Sequence, residues 1–82
     1  MAKLTHIERR RRAVMIVDLV VRGAVAADAG RQHGVTPTHA ARLVQDYLRC
    51  RYIRQTEDGA LTWTADGLRF QAWLDMAPEV VP

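Results

Sequence analysis

Four polar side chains recur at helical spacing between residues 38 and 49, and their types suit nucleic-acid chemistry. They are Thr38, Arg42, Gln45 and Arg49, which would project within about 60° of one another on an α-helix. Arginine can form paired hydrogen bonds to guanine, glutamine to adenine, and threonine can contact phosphate or the thymine methyl group. No acidic residue interrupts the set, since Asp46 lies to one side. The pattern predicts a helix face that contacts DNA, and a plain solvated face is the alternative.

The charge is distributed unevenly along the chain. Residues 1–56 contain 11 Lys or Arg and 4 Asp or Glu, a net charge of +7, whereas residues 57–82 contain 1 and 5, a net charge of −4. This asymmetry predicts a polyanionic partner for the first part, unless the basic residues serve only solubility. The RRRR run at 9–12 points in four directions on a helix. We therefore expect it to act in general electrostatics or in orienting the first helix, with direct phosphate contact as the alternative.

The length of 82 residues allows one domain with a small core, which we place at 1–82. The single cysteine, Cys50, excludes an internal disulfide and fits a reducing cytoplasm. Residues 9–29 imitate a signal peptide, with a basic start, an apolar run and small residues. Asp18 and Arg22 interrupt the apolar run, which is also shorter than the ~18–20 residues of a membrane span. We expect a soluble, cytoplasmic protein that does not contact membranes.

The first two helices are predicted at 5–22 and 25–32. The first begins with the capping-box sequence THIE, and Gly23 is a candidate left-handed C-cap. Met15 and Leu19 fall on the face of the first helix that is opposite its predicted buried face. There they form either a dimer seam or scattered surface hydrophobes. The alanines and Gly30 of the second helix favour close approach by another helix. The buried face of the first helix is predicted to contain Ile7, Ala13, Val14, Ile16, Val17, Val20 and Val21.

The third helix is predicted at 37–50, because Thr36 as N-cap followed by Pro37 is a strong start signal. Gly34 fits the preceding turn, where a left-handed backbone is needed. The inner face of this helix is predicted to contain Ala40, Leu43, Val44, Tyr47 and Cys50.

A hairpin is predicted at 52–63, because apolar and polar residues alternate on both sides of an Asp-Gly turn. A two-residue loop would pair Arg54 with Trp63 and place an arginine on the apolar face. A three-residue loop at 57–59, with Gly59 left-handed, pairs Ile53 with Trp63 instead. We prefer the three-residue loop because it leaves Arg54 facing outward.

The fourth helix is predicted at 65–76 with Thr64 as its cap, and residues 77–82 are predicted to be a tail. Gly67 permits tight packing at the start of this helix. Its inner face is predicted to contain Leu68, Ala72, Trp73 and Met76.

The predicted elements follow in the order of a helix, a short helix, a turn, a helix, a hairpin and a helix. This order resembles a winged helix-turn-helix. The stretch GVTPTHAARLVQDYL resembles its turn and recognition helix. The stretch YIRQTEDGALTWTADGLRF resembles its wing and a Thr-x-x-Gly helix start, here Thr64 and Gly67, as in MarR-like and related small prokaryotic or phage regulators. The resemblance covers about residues 24–75 and implies a mainly α fold with a β-hairpin wing, ordered α-α-α-β-β-α. One departure is Gly30, where the family usually has alanine, since glycine weakens a helix by ~1 kcal/mol.

As hypotheses, we assign DNA-contact roles to the polar residues on and around the third helix. Arg42 and Gln45 would read bases, each good paired contact being worth ~1–3 kcal/mol of discrimination. Thr36, Thr38 and His39, near the N-terminus of the third helix, would hold phosphate. Further contacts with the DNA backbone are expected from Arg31, Arg49, Arg51 and Arg54.

We expect a small DNA-binding transcriptional regulator, a repressor rather than an activator, that acts as a homodimer on a two-fold site. Its two recognition helices would then lie ~34 Å apart. The alternative is a winged-helix protein-interaction module, which the acidic wing tip and the Met15/Leu19 pair favour. RNA binding is a third option that the lack of an exposed aromatic platform opposes. The sequence does not indicate a small-molecule effector.

Signals for catalysis, metals and cofactors are missing from the sequence. The chain contains no serine and no asparagine. A dyad of Cys50 with His33 or His39 is opposed by the predicted burial of the cysteine. The histidines and the cysteine lack metal-ligand spacing, and no phosphate-binding glycine loop is present. We therefore predict no enzymatic activity, no metal site and no cofactor.

Overall fold

The computed structural model describes residues 5–76, and its element order is the predicted one. The chain is mainly α-helical with one antiparallel two-stranded sheet, in the order α-α-α-β-β-α. The tail predicted at 77–82 lies outside the described residues. The elements are α1 (His6–Val21), α2 (Ala26–Gln32), α3 (Pro37–Arg49), β1 (Ile53–Gln55), β2 (Leu61–Trp63) and α4 (Ala65–Met76).

Helix α1 begins at its predicted cap, where the Thr5 hydroxyl accepts a hydrogen bond of 3.1 Å from the backbone N–H of Glu8. Ile16 and Val17 are fully buried near its middle and belong to two neighbouring parts of the core. Gly23 follows the C-cap with a φ of +110°, as predicted for the end of this helix. Within residues 5–76 no helix combines the length and the apolarity needed to cross a bilayer.

One arginine of the RRRR run joins the first and last helices. The guanidinium of Arg11 donates through Nε and Nη2 to the carbonyl oxygen of Leu74 on α4, at 3.3 and 3.0 Å. Leu74 is itself buried. This contact is of the orienting kind that the sequence suggested for the run.

Helices α2 and α3 approach each other at Gly30. A Cβ at this position would lie 2.7 Å from Cβ of the buried Ala40 and 3.0 Å from a methyl group of Val35. An alanine at this position would therefore require α2 and α3 to move apart. Helix α3 begins as predicted, because the Thr36 hydroxyl accepts a 3.1 Å hydrogen bond from the backbone N–H of His39.

The prediction that Cys50 belongs to the inner face of α3 is wrong. Helix α3 ends at Arg49, and Cys50 is its exposed C-cap. Arg51 then adopts a left-handed backbone with φ +62°, and the N–H of Tyr52 bonds back to the carbonyl of Tyr47 at 3.0 Å. The chain leaves the helix too early for the cysteine to enter the core.

The hairpin has the three-residue loop preferred from the sequence. Ile53 pairs with Trp63, Arg54 with Thr62, and Gln55 with Leu61. The N–H of Thr56 donates to the carbonyl of Ala60 at 2.7 Å, and Gly59 has φ +88°. Because of this register, Ile53 is buried and Arg54 is exposed.

The predicted inner face of α4 is wrong by part of a helical turn. Leu68, Trp73 and Met76 are 55%, 53% and 82% exposed, and Ala72 is exposed as well. The buried residues are Gly67 and Leu74, with Phe70 half-buried between them. These three occupy i, i+3 and i+7, so they share one helix face.

The close approach of Gly67 to the preceding segment explains this rotation. A Cβ on Gly67 would overlap the Tyr52 carbonyl oxygen and lie 2.8 Å from the Trp63 ring. The Thr64 hydroxyl accepts from the Gly67 N–H at 3.1 Å and donates to the Arg51 carbonyl at 2.6 Å. The start of α4 is therefore held with its glycine turned inward, and the rest of the helix follows.

We predict that Gly67→Ala strongly destabilises the fold. The new methyl group meets a backbone carbonyl that cannot move without shifting the hairpin, so we expect a loss near the upper end of overpacking costs, about 3 kcal/mol. Urea denaturation followed by circular dichroism would measure it. The control is Gly59→Ala, whose Cβ meets open space but whose φ is positive, with an expected cost of about 1 kcal/mol. Equal losses in the two variants would contradict the steric explanation.

Candidate nucleic-acid interface

The polar side chains of α3 lie on its outer side, as the sequence predicted. Ala40, Val44 and Tyr47 are buried on the inner side. Opposite them, a continuous row of exposed polar residues runs along the whole helix. We call this row the α3 stripe, and it consists of Thr38, Arg42, Gln45 and Arg49.

Three members of the α3 stripe, Thr38, Arg42 and Gln45, are unengaged within residues 5–76, and the fourth, Arg49, forms an ion pair. Within residues 5–76, Arg42 and Gln45 make no side-chain hydrogen bond or ion pair. The Arg49 guanidinium lies 3.5 Å from the Asp46 carboxylate, and both side chains are largely exposed. Surface pairs of this kind are worth about 0–1 kcal/mol, so an incoming phosphate can replace the carboxylate.

The N-terminal end of the α3 stripe combines the exposed Thr38 hydroxyl with the positive end of the helix dipole. Thr36 already uses its hydroxyl as the helix cap, which leaves Thr38 and His39 as exposed side chains in the first turn. A helix N-terminus attracts anions through its N–H groups and its dipole. Arg31 on α2 is exposed, and its guanidinium lies 3.6 Å from the Asp28 carboxylate.

Arg51 and Arg54 extend the basic surface beyond the end of α3. Arg51 is exposed, and its left-handed backbone is fixed by the Thr64 hydroxyl bond to its carbonyl. A left-handed non-glycine residue costs roughly 1–2 kcal/mol, which the sequence alone did not reveal. Arg54 is exposed on β1 opposite Thr62, at the base of the hairpin. The basic residues therefore continue from α3 onto the first strand.

The hairpin tip has the opposite charge. Glu57 and Asp58 are exposed on the loop. The Thr56 hydroxyl donates to the Asp58 carboxylate and, together with the Ala60 N–H, lowers the pKa of that carboxyl. Asp58 therefore stays ionised at neutral pH, and the tip repels phosphate.

The residues predicted for a dimer seam differ in their exposure. Met15 is 53% exposed. Leu19 is half-buried and packs against the core cluster of Ile16, Ala29 and Ala40, because α2 covers this side of α1. Leu19 therefore contributes less to the surface than the sequence suggested. The larger exposed apolar surface is the α4 face of Leu68, Trp73 and Met76.

Sequence reasoning missed a cationic cavity beside α3. Its volume is about 400 Å³, and α1 and α3 form parts of its wall. The signal was present, because His6, Arg10 and Ala13 recur at helical spacing, which places them on one face of α1. Tyr47, at the floor of the cavity, is 8% exposed. Burial, reinforced by the nearby Tyr52 phenol, raises the pKa of Tyr47 to about 12.

Comparison with protein-family models, with curated proteins and with solved structures gives no match. Across residues 5–76, no three His, Cys, Asp or Glu side chains come close enough together to hold a metal ion. The functional argument for the α3 stripe therefore depends on the chain's own residues.

We predict that Tyr47 makes the fold less stable at high pH. The folded chain releases the Tyr47 proton near pH 12, whereas an unfolded chain releases it near pH 10. Between these values the folded state binds more protons, so the free energy of unfolding falls as pH rises, by about 1.3 kcal/mol between pH 9 and pH 11. Urea denaturation at pH 9 and pH 11 would measure the change. Tyr47→Phe should reduce the fall, and an undiminished fall in that variant would exclude Tyr47 as its source.

Proposed function

We propose that this protein binds double-stranded DNA and regulates transcription, with α3 lying in the major groove. The observation that carries the proposal is the outward α3 stripe, in which Arg42 and Gln45 are exposed and unengaged by the rest of the described chain. An α-helix fits the major groove, where each base pair presents a distinct set of donors and acceptors. In this proposal the fold acts as a winged helix-turn-helix in the cytoplasm, and repression is the favoured mode.

The proposed roles follow the position of each residue on α3 and around it. Arg42 and Gln45, in the middle of the α3 stripe, read base edges. Thr38 and His39 contact phosphate at the helix N-terminus, where Thr36 contributes mainly by capping. Arg31, Arg49, Arg51 and Arg54 contact the DNA backbone, and those contacts fix the position of the helix on the duplex.

The hairpin contributes to DNA binding at its base in this proposal. Arg54 and Thr62 face each other across the two strands. The acidic tip at Glu57 and Asp58 is kept away from phosphate by repulsion. The acidic tip thus limits how deeply the hairpin can follow a groove, and it restricts the basic contacts to the side of the hairpin next to α3.

We further propose that the chain acts as a homodimer. A single short helix makes few base contacts, and two copies on a two-fold site double them with recognition helices one duplex turn apart. Met15 remains a candidate for the contact between copies. The exposed face of α4 is a second candidate, because three large apolar side chains lie on it.

The second candidate function is a protein-interaction module. The exposed apolar face of α4 favours it, because apolar patches are typical of surfaces that contact proteins. The acidic hairpin tip favours a basic partner protein through charge complementarity. This candidate requires no nucleic-acid contact by the α3 stripe. Binding to DNA therefore separates the two functions directly.

We predict salt-dependent binding to random-sequence duplex DNA. Each phosphate neutralised should contribute a slope of about −0.9 to the plot of log affinity against log salt concentration. Fluorescence anisotropy with a labelled duplex would measure this slope. Arg51→Gln should weaken binding to all sequences and reduce the slope by about 1. Absence of binding at low salt would contradict the proposal and favour the interaction module.

We predict that Arg42→Ala flattens the sequence preference. Loss of a paired contact to a base should cost about 1–3 kcal/mol on the preferred duplex and much less on random duplex. Selection of bound duplexes from a random pool would first define the preferred site, and its symmetry would report the oligomeric state. The matched control is Arg69→Ala, because Arg69 is exposed on α4 and pairs with Asp66. An unchanged preference in Arg42→Ala would remove this residue from base reading.

A further inference from the structure

The cavity beside α3 has a rim of basic side chains. His6, Arg9, Arg10 and Arg12 come from α1, and His39 comes from the first turn of α3. Arg10 donates through Nε to Nε2 of His6 at 3.2 Å, which holds these two side chains together. Among the residues at 5–76, no Asp or Glu lines the cavity. Within residues 5–76, no carboxylate forms an ion pair with Arg9, Arg10 or Arg12.

The floor of the same cavity is aromatic and aliphatic. Tyr47, Tyr52 and Phe70 line it together with Leu43. The rings of Tyr52 and Phe70 are stacked with centroids 4.7 Å apart and planes 7° apart, and Tyr47 meets both edge-on. The floor is therefore built from side chains that the core already holds in place.

The hydroxyl group of Tyr47, at the floor, has no hydrogen-bond partner among residues 5–76. Tyr47 is nearly buried, yet its hydroxyl makes no hydrogen bond within residues 5–76. No fully buried side-chain oxygen or nitrogen in this part of the chain lacks a partner, so the hydroxyl must reach an accessible surface. Tyr47 lines this cavity, which gives the hydroxyl an outlet there. The phenol stays protonated at neutral pH and can donate a hydrogen bond.

We propose that this cavity binds a free mononucleotide, with the phosphate at the arginine rim and the base against the aromatic floor. Several arginines that have no competing carboxylate among residues 5–76 match a group that carries more than one negative charge, and arginine's forked donors fit phosphate oxygens. Aromatic side chains supply sequence-tolerant surface for any base. The volume of about 400 Å³ suits one such molecule. An oligonucleotide strand would use the same chemistry, and the titration described below distinguishes it from a mononucleotide.

Because the cavity lies next to α3, a bound nucleotide should affect DNA binding. This inference rests on the proposed DNA-binding function. His39 belongs both to the rim and to the exposed first turn of α3. A bound phosphate would place negative charge beside the helix end that is proposed to attract DNA phosphate. Because like charges repel over several ångströms, the nucleotide should lower the affinity for duplex DNA.

To test the proposal, the purified full chain is titrated separately with AMP, GMP, CMP and UMP. Calorimetry measures the affinity of each nucleotide, and NMR records which backbone amide signals shift. Adenosine and ribose 5-phosphate supply each half of the ligand separately, and a short oligodeoxythymidine represents a single strand. We expect at least one mononucleotide to bind at least tenfold more tightly than either half and more tightly than the oligonucleotide. The shifted amides should cluster at the N-terminal half of α1 and at Leu43, Tyr47 and Tyr52.

Two matched variants locate the site. The double variant Arg9→Gln/Arg12→Gln should lose at least tenfold in mononucleotide affinity. The control Arg22→Gln/Arg69→Gln removes the same charge from exposed positions outside the cavity and should bind as the unchanged chain does. Tyr47→Phe keeps the ring and removes the hydroxyl, so it should bind roughly fivefold more weakly. Circular dichroism checks that each variant is folded.

Several outcomes would overturn the proposal. The first is that none of the four mononucleotides binds. The second is that ribose 5-phosphate alone binds as tightly as a mononucleotide. The third is that the oligonucleotide binds more tightly than any mononucleotide and that Arg9→Gln/Arg12→Gln abolishes this binding. The DNA-binding proposal is tested separately by anisotropy without nucleotide. Failure of DNA binding with intact nucleotide binding removes only the proposed function, whereas intact DNA binding without nucleotide binding removes only the cavity's role.

Discussion

The hydrogen-bonded junction at Thr64 fixes how the second half of the molecule is arranged. The Thr64 hydroxyl and N–H bond to the carbonyls of Arg51 and Tyr52, and the hydroxyl also caps α4 at Gly67. The end of α3, the base of the hairpin and the start of α4 therefore meet at one point. Gly67 must face the Tyr52 carbonyl there, which determines the face that α4 buries. The left-handed backbone of Arg51 belongs to the same junction, so the basic surface beyond α3 depends on it.

Features set by local sequence could be predicted, whereas those set by long-range packing could not. The caps at Thr5 and Thr36 and the register of the hairpin follow from short-range hydrogen bonding and turn chemistry, and the structure confirms them. The prediction of the inner face of α4 was wrong because its large apolar side chains suggested burial. The backbone contact of Gly67 instead decides how α4 is rotated about its axis. Cys50 was misplaced because no glycine marks the end of α3, where Arg51 takes the left-handed conformation.

In the candidate interface, too, local features could be predicted and long-range contacts could not. The exposure of the α3 stripe could be predicted, because its residues lie opposite an apolar face that has only one way to be buried. The ion pair between Arg49 and Asp46 was not anticipated, although their spacing of three residues permits it. The floor of the cavity could not be predicted, since it joins Tyr47, Tyr52 and Phe70 from separate parts of the chain. Only its α1 side had a signal in the sequence, in the helical spacing of His6, Arg10 and Ala13.

The two proposed binding surfaces share α3, and this sharing limits how independent they can be. The outer side of α3 carries the stripe, its inner side is core, and its flank at His39 and Leu43 lines the cavity. A rigid helix held on its inner side cannot respond to a ligand on its flank by a large change of shape. The most direct coupling is therefore electrostatic. The cationic rim raises the positive potential near the N-terminus of α3, and an anion seated among those arginines cancels part of that potential. Coupling of this kind weakens as salt is added, because the charges involved lie close to solvent.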